Sequence, residues 1–173
     1  EALLNARLGT DQPRAWWALR TFAPVVHAVT GGPWSFGYRP SYLAAPFSDH
    51  APDGREACVQ QLARRYLEGF GPASAADLAQ FTLLTRSAAR DVLDAMAGQL
   101  ERREGPDGSV LFDVPGAPLP GEDTPCPPRL MAMWDSVLLA YADRSRVIPP
   151  AYRALVIRRN GDVLPTLLVD GHV

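Results

Sequence analysis

Two short helical patterns joined by a tight turn, followed by a strand–turn–strand ribbon, predict an α+β fold of the winged-helix type over residues 56–115. The helical patterns are AADLAQF and TRSAARDVLDAM, and the turn falls at Thr82 to Leu84. The ribbon is QLERRE and SVLFDVP, reversing through Gly105-Pro106-Asp107-Gly108. With the helical run EACVQQLARRYLEG ahead of them, the order is helix, helix-turn-helix, hairpin wing. Such a module most often holds nucleic acid.

The elements follow in chain order. Residues 1 to 30 read as helical: a short amphipathic piece ends at Gly9, and Thr10 or Asp11 caps a second helix with Pro13 in its first turn. Ala15, Trp16, Leu19, Phe22 and Ala23 recur at helical spacing and are expected in a core. From Thr30 to Asp53, Gly, Pro and aromatic residues interleave with neither helical nor strand period. This is an ordered connection anchored by Trp34, Phe36, Tyr38 and Tyr42, for which packing is weighed against stacking on a base; one cation, Arg39, favours packing.

In the winged helix itself, Val59, Leu62, Ala63, Tyr66 and Leu67 share one helix face, and Gly69, Gly71 and Pro72 end that helix. Ser74 is placed to N-cap the next, with Asp77 three residues on as its capping-box partner. Thr85 or Ser87 caps the third, whose Val92, Leu93 and Met96 face inward while Arg86, Arg90, Asp91 and Asp94 face out. In the ribbon, Leu100 and Arg102 alternate with Glu101 and Arg103, and Val110, Phe112 and Val114 with Leu111 and Asp113.

A Pro-rich stretch ends the module, so the expected domains are a helical and aromatic segment (1–55), the winged helix (56–115), a linker (116–128) and a partial second α/β unit (129–173). In that last unit Met131, Trp134, Val137, Leu138 and Tyr141 are expected to line one helix face. Two strands, LVIRRN and DVLPTLLVD, are expected to hinge at Asn160-Gly161, with Pro165 marking an edge or bulge. Asp170-Gly171 is a hairpin-turn signal followed by two residues, and Glu1 to Leu8 reads as the tail of a helix, so a fragment of a longer protein is expected.

Composition narrows the classes. Apolar content of 47% and charged content of 21% are ordinary for a globular chain of 173 residues. All seventeen cations are Arg, which suits bidentate phosphate contact but also follows from a GC-rich genome. A net charge of −2 argues against strong non-specific nucleic-acid binding by this chain alone. No charged-then-apolar leader and no apolar run of about 18 residues occur, so a cytoplasmic location without a membrane partner is expected. Cys58 and Cys126 share no metal-ligand spacing, and His27, His50 and His172 are scattered, so neither metal nor cofactor is expected.

The residues also carry a resemblance. RAWWALRTFAPVV (14–26), GPWSFGYRPSYLAA (32–45), RRYLEGFGPASAADLAQFTLL (64–84), LFDVPGAPLP (111–120), RLMAMWDSVLLAYADRSRVIP (129–149) and RRNGDVLPTLLVDG (158–171) resemble a family of bacterial tandem winged-helix proteins. That family includes DNA glycosylases acting on bulky alkylated bases and interstrand crosslinks. The resemblance implies a tandem winged-helix array, double-stranded DNA as partner of the full-length protein, and possession of a Gln-x-Gln or Gln-x-Asp motif in a first winged helix. Gln60 and Gln61 lie mid-helix in another unit and do not carry that motif. The catalytic residues are therefore expected outside this chain, with Asp135 as an in-chain candidate and Asp143 as an anionic group or an internal partner of Arg144 and Arg146.

For holding DNA, the start of the second helix of the helix-turn-helix presents Thr85, Arg86, Ser87 and Arg90, and the wing presents Arg102 and Arg103; Arg144 and Arg146 join them. Asp91, Asp94, Glu101, Glu104 and Asp107 lie nearby and oppose a phosphate backbone. The expected function is DNA binding within a glycosylase-like repair protein, this chain shaping the cleft rather than doing the chemistry. A non-catalytic winged-helix regulator or a protein-interaction module is the alternative.

Overall fold

The computed structural model describes residues 2–9, 11–12, 14–32, 35, 38, 40–46 and 54–173. Contacts divide the chain into two compact units, Glu1–Ala51 and Pro52–Val173. The architecture is α+β, with helices and three two-stranded antiparallel sheets among the described residues.

In the first unit, α1 (Ala2–Leu8) ends at Gly9, whose φ of +67° is the left-handed geometry glycine tolerates. Helix α2 (Ala15–Phe22) starts at Arg14 without a side-chain cap. The helical pattern does not continue to residue 30: Pro24 interrupts it, and Val25–His27 forms β1 instead. Its partner β2 (Tyr42–Ala44) is a strand inside the segment expected to have none, with Val26 opposite Leu43. Trp16 packs edge-on against Tyr42 at 5.8 Å, and His27 lies 4.7 Å from the same ring. The expected core positions fare differently, because Phe22 is 78% exposed and Leu19 is exposed as well. Tyr42 acts as an anchor, whereas Tyr38 is fully exposed. Thr10, Pro13, Trp34, Phe36, Arg39 and His50 lie outside the described residues.

The second unit opens with α3 (Gly54–Phe70), which buries Ala63, Tyr66 and Leu67. Ser74 caps α4 (Ala75–Thr82) through a full capping box: its hydroxyl accepts from the Asp77 N–H, and the Asp77 carboxylate accepts from the Ser74 N–H at 2.8 Å. Leu83 turns the chain in a left-handed conformation, and Thr85 caps α5 (Arg86–Ala95) by accepting from the Ala88 N–H at 3.2 Å. Val92, Leu93 and Met96 are buried as their spacing predicts. Strands β3 (Glu101–Glu104) and β4 (Val110–Asp113) pair with Arg102 opposite Phe112 and Arg103 opposite Leu111. Ala73, between α3 and α4, adds a further bridge to Phe112 through two hydrogen bonds of 2.8 and 2.9 Å. Helices and ribbon close on one apolar core, with Phe70 and Phe81 beside Tyr66. This arrangement is consistent with a winged-helix-like fold.

Beyond the Pro-rich bridge a second core gathers Met131, Leu138, Ile148, Val156, Val163 and Leu168. Local structure there departs from the periodicity. The run expected to be one helix begins as β5 (Arg129–Met131) and yields only a short α6 (Ser136–Leu139). LVIRRN is not a strand, since α7 (Arg153–Val156) takes its start and a single bridge, Ile157 to Val163, survives across the Asn160-Gly161 turn. The reason lies in the partner: β6 (Thr166–Leu168) pairs back to β5, so the ladder hydrogen bonds go there. Asp170 and Gly171 both have positive φ, the two-residue turn their sequence predicts, closed by the Val169–His172 pair.

Three hydrogen bonds clasp the two cores. The Tyr66 hydroxyl donates to the Ala140 carbonyl at 2.7 Å, the Tyr141 hydroxyl donates to the Phe70 carbonyl at 3.0 Å, and the Ala142 N–H donates to the Asp77 carboxylate at 2.8 Å. Asp77 thus caps α4 with one oxygen and holds the distant loop with the other. Burial raises both tyrosines above the ordinary range, and for Tyr66 the Asp77 charge adds to it.

Two tests follow from this packing. A Cβ at Gly71 meets the Asp113 carboxylate and the Leu67 carbonyl, whereas one at Gly69 in α3 meets nothing. Gly71→Ala is expected to destabilise by about 1–3 kcal/mol, and Gly69→Ala to stabilise by up to about 1 kcal/mol, both read from urea midpoints. The second test uses the raised phenols, which stay protonated in the folded chain while those of the unfolded chain ionise near pH about 10. The stability they contribute is therefore complete below that pH and declines as pH rises beyond it. Tyr66→Phe is expected to cost about 1–3 kcal/mol at neutral pH and to flatten the alkaline decline. A variant declining as steeply as the parent would remove Tyr66 as its source.

Candidate functional site

The clasp brings three arginines from remote parts of the chain to one open cleft of about 760 Å³. Arg90 comes from α5, Arg102 from β3 and Arg146 from the loop after Tyr141. Each is placed by local structure. Arg90 sits on the outward face of α5, opposite buried Ala89, Val92 and Leu93. Arg102 lies over the ring of its cross-strand neighbour Phe112, 5.4 Å from the centroid, and reaches Asp94 at 3.4 Å. Arg146 lies over the Tyr141 ring at 4.9 Å, so the tyrosine that anchors the loop also orients the cation.

Four carboxylates share the cleft with these three guanidinium groups: Asp77, Asp94, Asp107 and Asp143. All four are engaged within the chain. Asp77 holds Ser74 and Ala142, and Asp94 holds Arg102. Asp107 accepts from the Ser109 N–H at 3.1 Å, and bonds to Ser109 hold its carboxyl below the usual range. Asp143 accepts from the Ser145 N–H at 2.9 Å and from its hydroxyl at 3.0 Å, with the same effect. Among the described residues, no carboxylate lies within ion-pair distance of Arg90 or Arg146. The site therefore offers two cations, Arg90 and Arg146, with no carboxylate partner among the described residues, beside four carboxylates that each accept hydrogen bonds within the chain.

The remaining residues singled out in the sequence lie elsewhere. Thr85 is engaged as the α5 cap and Ser87 contacts its hydroxyl at 3.0 Å, while Arg86 is exposed at the helix start, outside the cleft lining. Arg103 turns to the opposite face of the ribbon from Arg102. Its guanidinium meets Glu101 at 2.7 Å and lies 3.8 Å from Asp113, an ion-pair distance too long for a hydrogen bond. Arg144 faces a separate hollow. Asp135 caps α6 by accepting from the Val137 N–H at 3.0 Å and does not line the cleft. Asp143 pairs with Ser145 rather than with Arg144 or Arg146.

Two residues that organise this region were not singled out as site residues by the sequence. Asp113 is completely buried, and a carboxylate inside the apolar run LFDV was the available signal. The second role of Asp77 left no trace, because its partner Ala142 offers only a backbone N–H. No group of three or more His, Cys, Asp or Glu residues is arranged to hold a metal among the described residues. No helix among them is long and apolar enough to cross a membrane.

Comparison with known proteins gives the chain its relatives. The solved structure of Streptomyces sahachiroi DNA glycosylase AlkZ matches with a TM-score of 0.65 at 20% sequence identity, over 98% of this chain and 50% of that one. At this identity the likeness speaks for the fold, and the chain spans about half the length of the AlkZ structure. No curated protein matches. The family described as DNA glycosylase AlkZ-like matches over residues 1–173, and the chain belongs to that family.

Proposed function

We propose that this chain forms part of the DNA-holding cleft of a glycosylase-like base-excision repair protein for alkylated or crosslinked DNA. In this reading residues 56–115 are a winged helix within a tandem array, linked through 116–128 to a partial second unit at 129–173. The observation that carries the proposal is the convergence of Arg90, Arg102 and Arg146 on one cleft from α5, the ribbon and the 140–146 loop. Guanidinium groups on a shared wall suit the phosphates of a duplex, which fix position without reading sequence. Membership of the AlkZ-like family supports DNA as the partner.

In the same reading, holding is separate from chemistry. Breaking an N-glycosidic bond through a cation-like transition state calls for a polar or anionic group beside the sugar and a positioned water. A carboxylate whose oxygens already accept hydrogen bonds is a weak proton acceptor. Asp107 and Asp143 are in that condition, while Asp77 and Asp135 are engaged as helix caps. The bond-breaking groups are assigned to residues outside this chain. With more carboxylates than guanidinium groups in the cleft, long-range attraction is small, and binding depends on short, directed contacts.

Fluorescence anisotropy with a labelled duplex tests the proposal. The chain is expected to bind with an affinity that falls as salt rises, and Arg90→Gln or Arg146→Gln should each lower the slope of log K against log salt by about one. Binding that ignores salt, or none at all, refutes the DNA reading and leaves a protein-interaction module. A second assay addresses chemistry: the chain alone is expected to release no 7-methylguanine and to unhook no crosslink, and excision by it would overturn the division of labour.

A further inference from the structure

Beyond the cleft, the loop after Tyr141 borders a second hollow of about 350 Å³. Gln80 of α4, Arg144, Ser145 and Arg153 contribute its polar lining, with Ile148 among its apolar residues. The hollow and the cleft share Ala142 and Asp143, so this short stretch is the partition between them. Arg146 lines one side and Arg144, two residues earlier, lines the other.

The charge balance of the hollow is unusual. Arg144 is half-buried and its Nε donates to the Tyr141 carbonyl at 3.3 Å, which fixes the side chain while its two terminal nitrogens make no hydrogen bond among the described residues. Arg153 faces the same space, and no carboxylate lies within ion-pair distance of either guanidinium among the described residues. Asp143 lines the hollow too, but its two oxygens accept from Ser145. Burial, and after it the Arg153 charge, lower the affinity of Arg144 for its proton, a sign that the two cations repel across the hollow. Arginine keeps its proton in this setting, so an anion entering the hollow would offset the repulsion and meet the unbonded terminal N–H groups of Arg144. Among anions, phosphate matches the guanidinium fork in geometry and can accept from both arginines at once.

We propose that Arg144 and Arg153, with the Gln80 amide beside them, form a phosphate-binding site distinct from the cleft, and that its ligand is a backbone phosphodiester of the nucleic acid held there. The site rests on the reading of the cleft as a DNA-holding surface. It extends the contact path across the Ala142–Asp143 partition to a cation, Arg153, that the sequence did not single out. Contacts on both sides of one loop hold a strand in register more firmly than either does alone.

The test uses the full chain and Arg153→Gln, because Arg153 is exposed and its replacement leaves the core intact. In duplex titrations across a salt series, Arg153→Gln is expected to lower the slope of log K against log salt by about one, with Arg153→Lys restoring it. The losses from Arg153→Gln and Arg146→Gln should add in the double variant, as they do for separate sites. Unchanged binding in Arg153→Gln, with Arg146→Gln still impaired, overturns the second site and leaves the cleft standing. If the parent chain binds no duplex, the cleft reading fails, and inorganic phosphate then decides the pocket alone. Shifts of the Arg144 and Arg153 Nε–Hε resonances, lost in Arg153→Gln, would keep a site for free phosphate and reject DNA as its source. An absence of shifts would overturn the site.

Discussion

The hydroxyl of Tyr66 donating to the carbonyl of Ala140 is the contact on which the rest of this unit depends. Two apolar cores lie on either side of a Pro-rich stretch, and a stiff connection of that composition buries little and dictates no relative placement. The reciprocal tyrosine bonds and the Asp77 bond to Ala142 supply the placement instead. A phenol with 2% exposure cannot exchange its partner for water, so its bond is costly to break. Loop 140–146 is thereby tied to α3 and α4, and Arg146 arrives beside Arg90 and Arg102.

The same loop shows how a nearly neutral chain can still present cations. Its net charge of −2 gives no field to draw a polyanion in. Locally, however, the carboxylates are drawn into turns and caps: Asp107 and Asp143 each bind a serine two residues on, and Asp77 caps a helix. Arg90, Arg146, Arg144 and Arg153 have no carboxylate within ion-pair distance among the described residues. An arrangement of this kind favours short, directed contacts to an anion over long-range steering.

How legible this was depends on the range of the interactions involved. The Ser74–Asp77 capping box and the Thr85 cap are contacts within three residues, and they could be read directly. The ribbon was readable for the same reason, from its alternation and the Gly105–Gly108 reversal. By contrast, β5 pairs with β6 more than thirty residues away, and nothing in RLMAMW distinguishes a strand start from a helix start. LVIRRN has strand composition but makes only the Ile157–Val163 bridge, and its first residues coil into α7 after Pro149-Pro150. Phe22 and Leu19 follow the helical period and are nevertheless exposed, because periodicity marks a face and does not provide the surface that covers it.

Over residues 56–115 the caps, helix faces and turn glycines were set by residues near one another in the chain. The sequence by itself also determined that the cations would all be arginine and the acids abundant. Which arginines face a common space was decided only by tertiary structure. Arg102 and Arg103 are neighbours in sequence, yet one stacks on Phe112 in the cleft and the other turns to Glu101 and buried Asp113. Arg144 and Arg146 part in the same way across the Ala142–Asp143 partition. The physical reason is that a side chain's partners are fixed by packing between distant elements, here through backbone groups of Ala140, Phe70 and Ala142 whose side chains leave no mark of the contact.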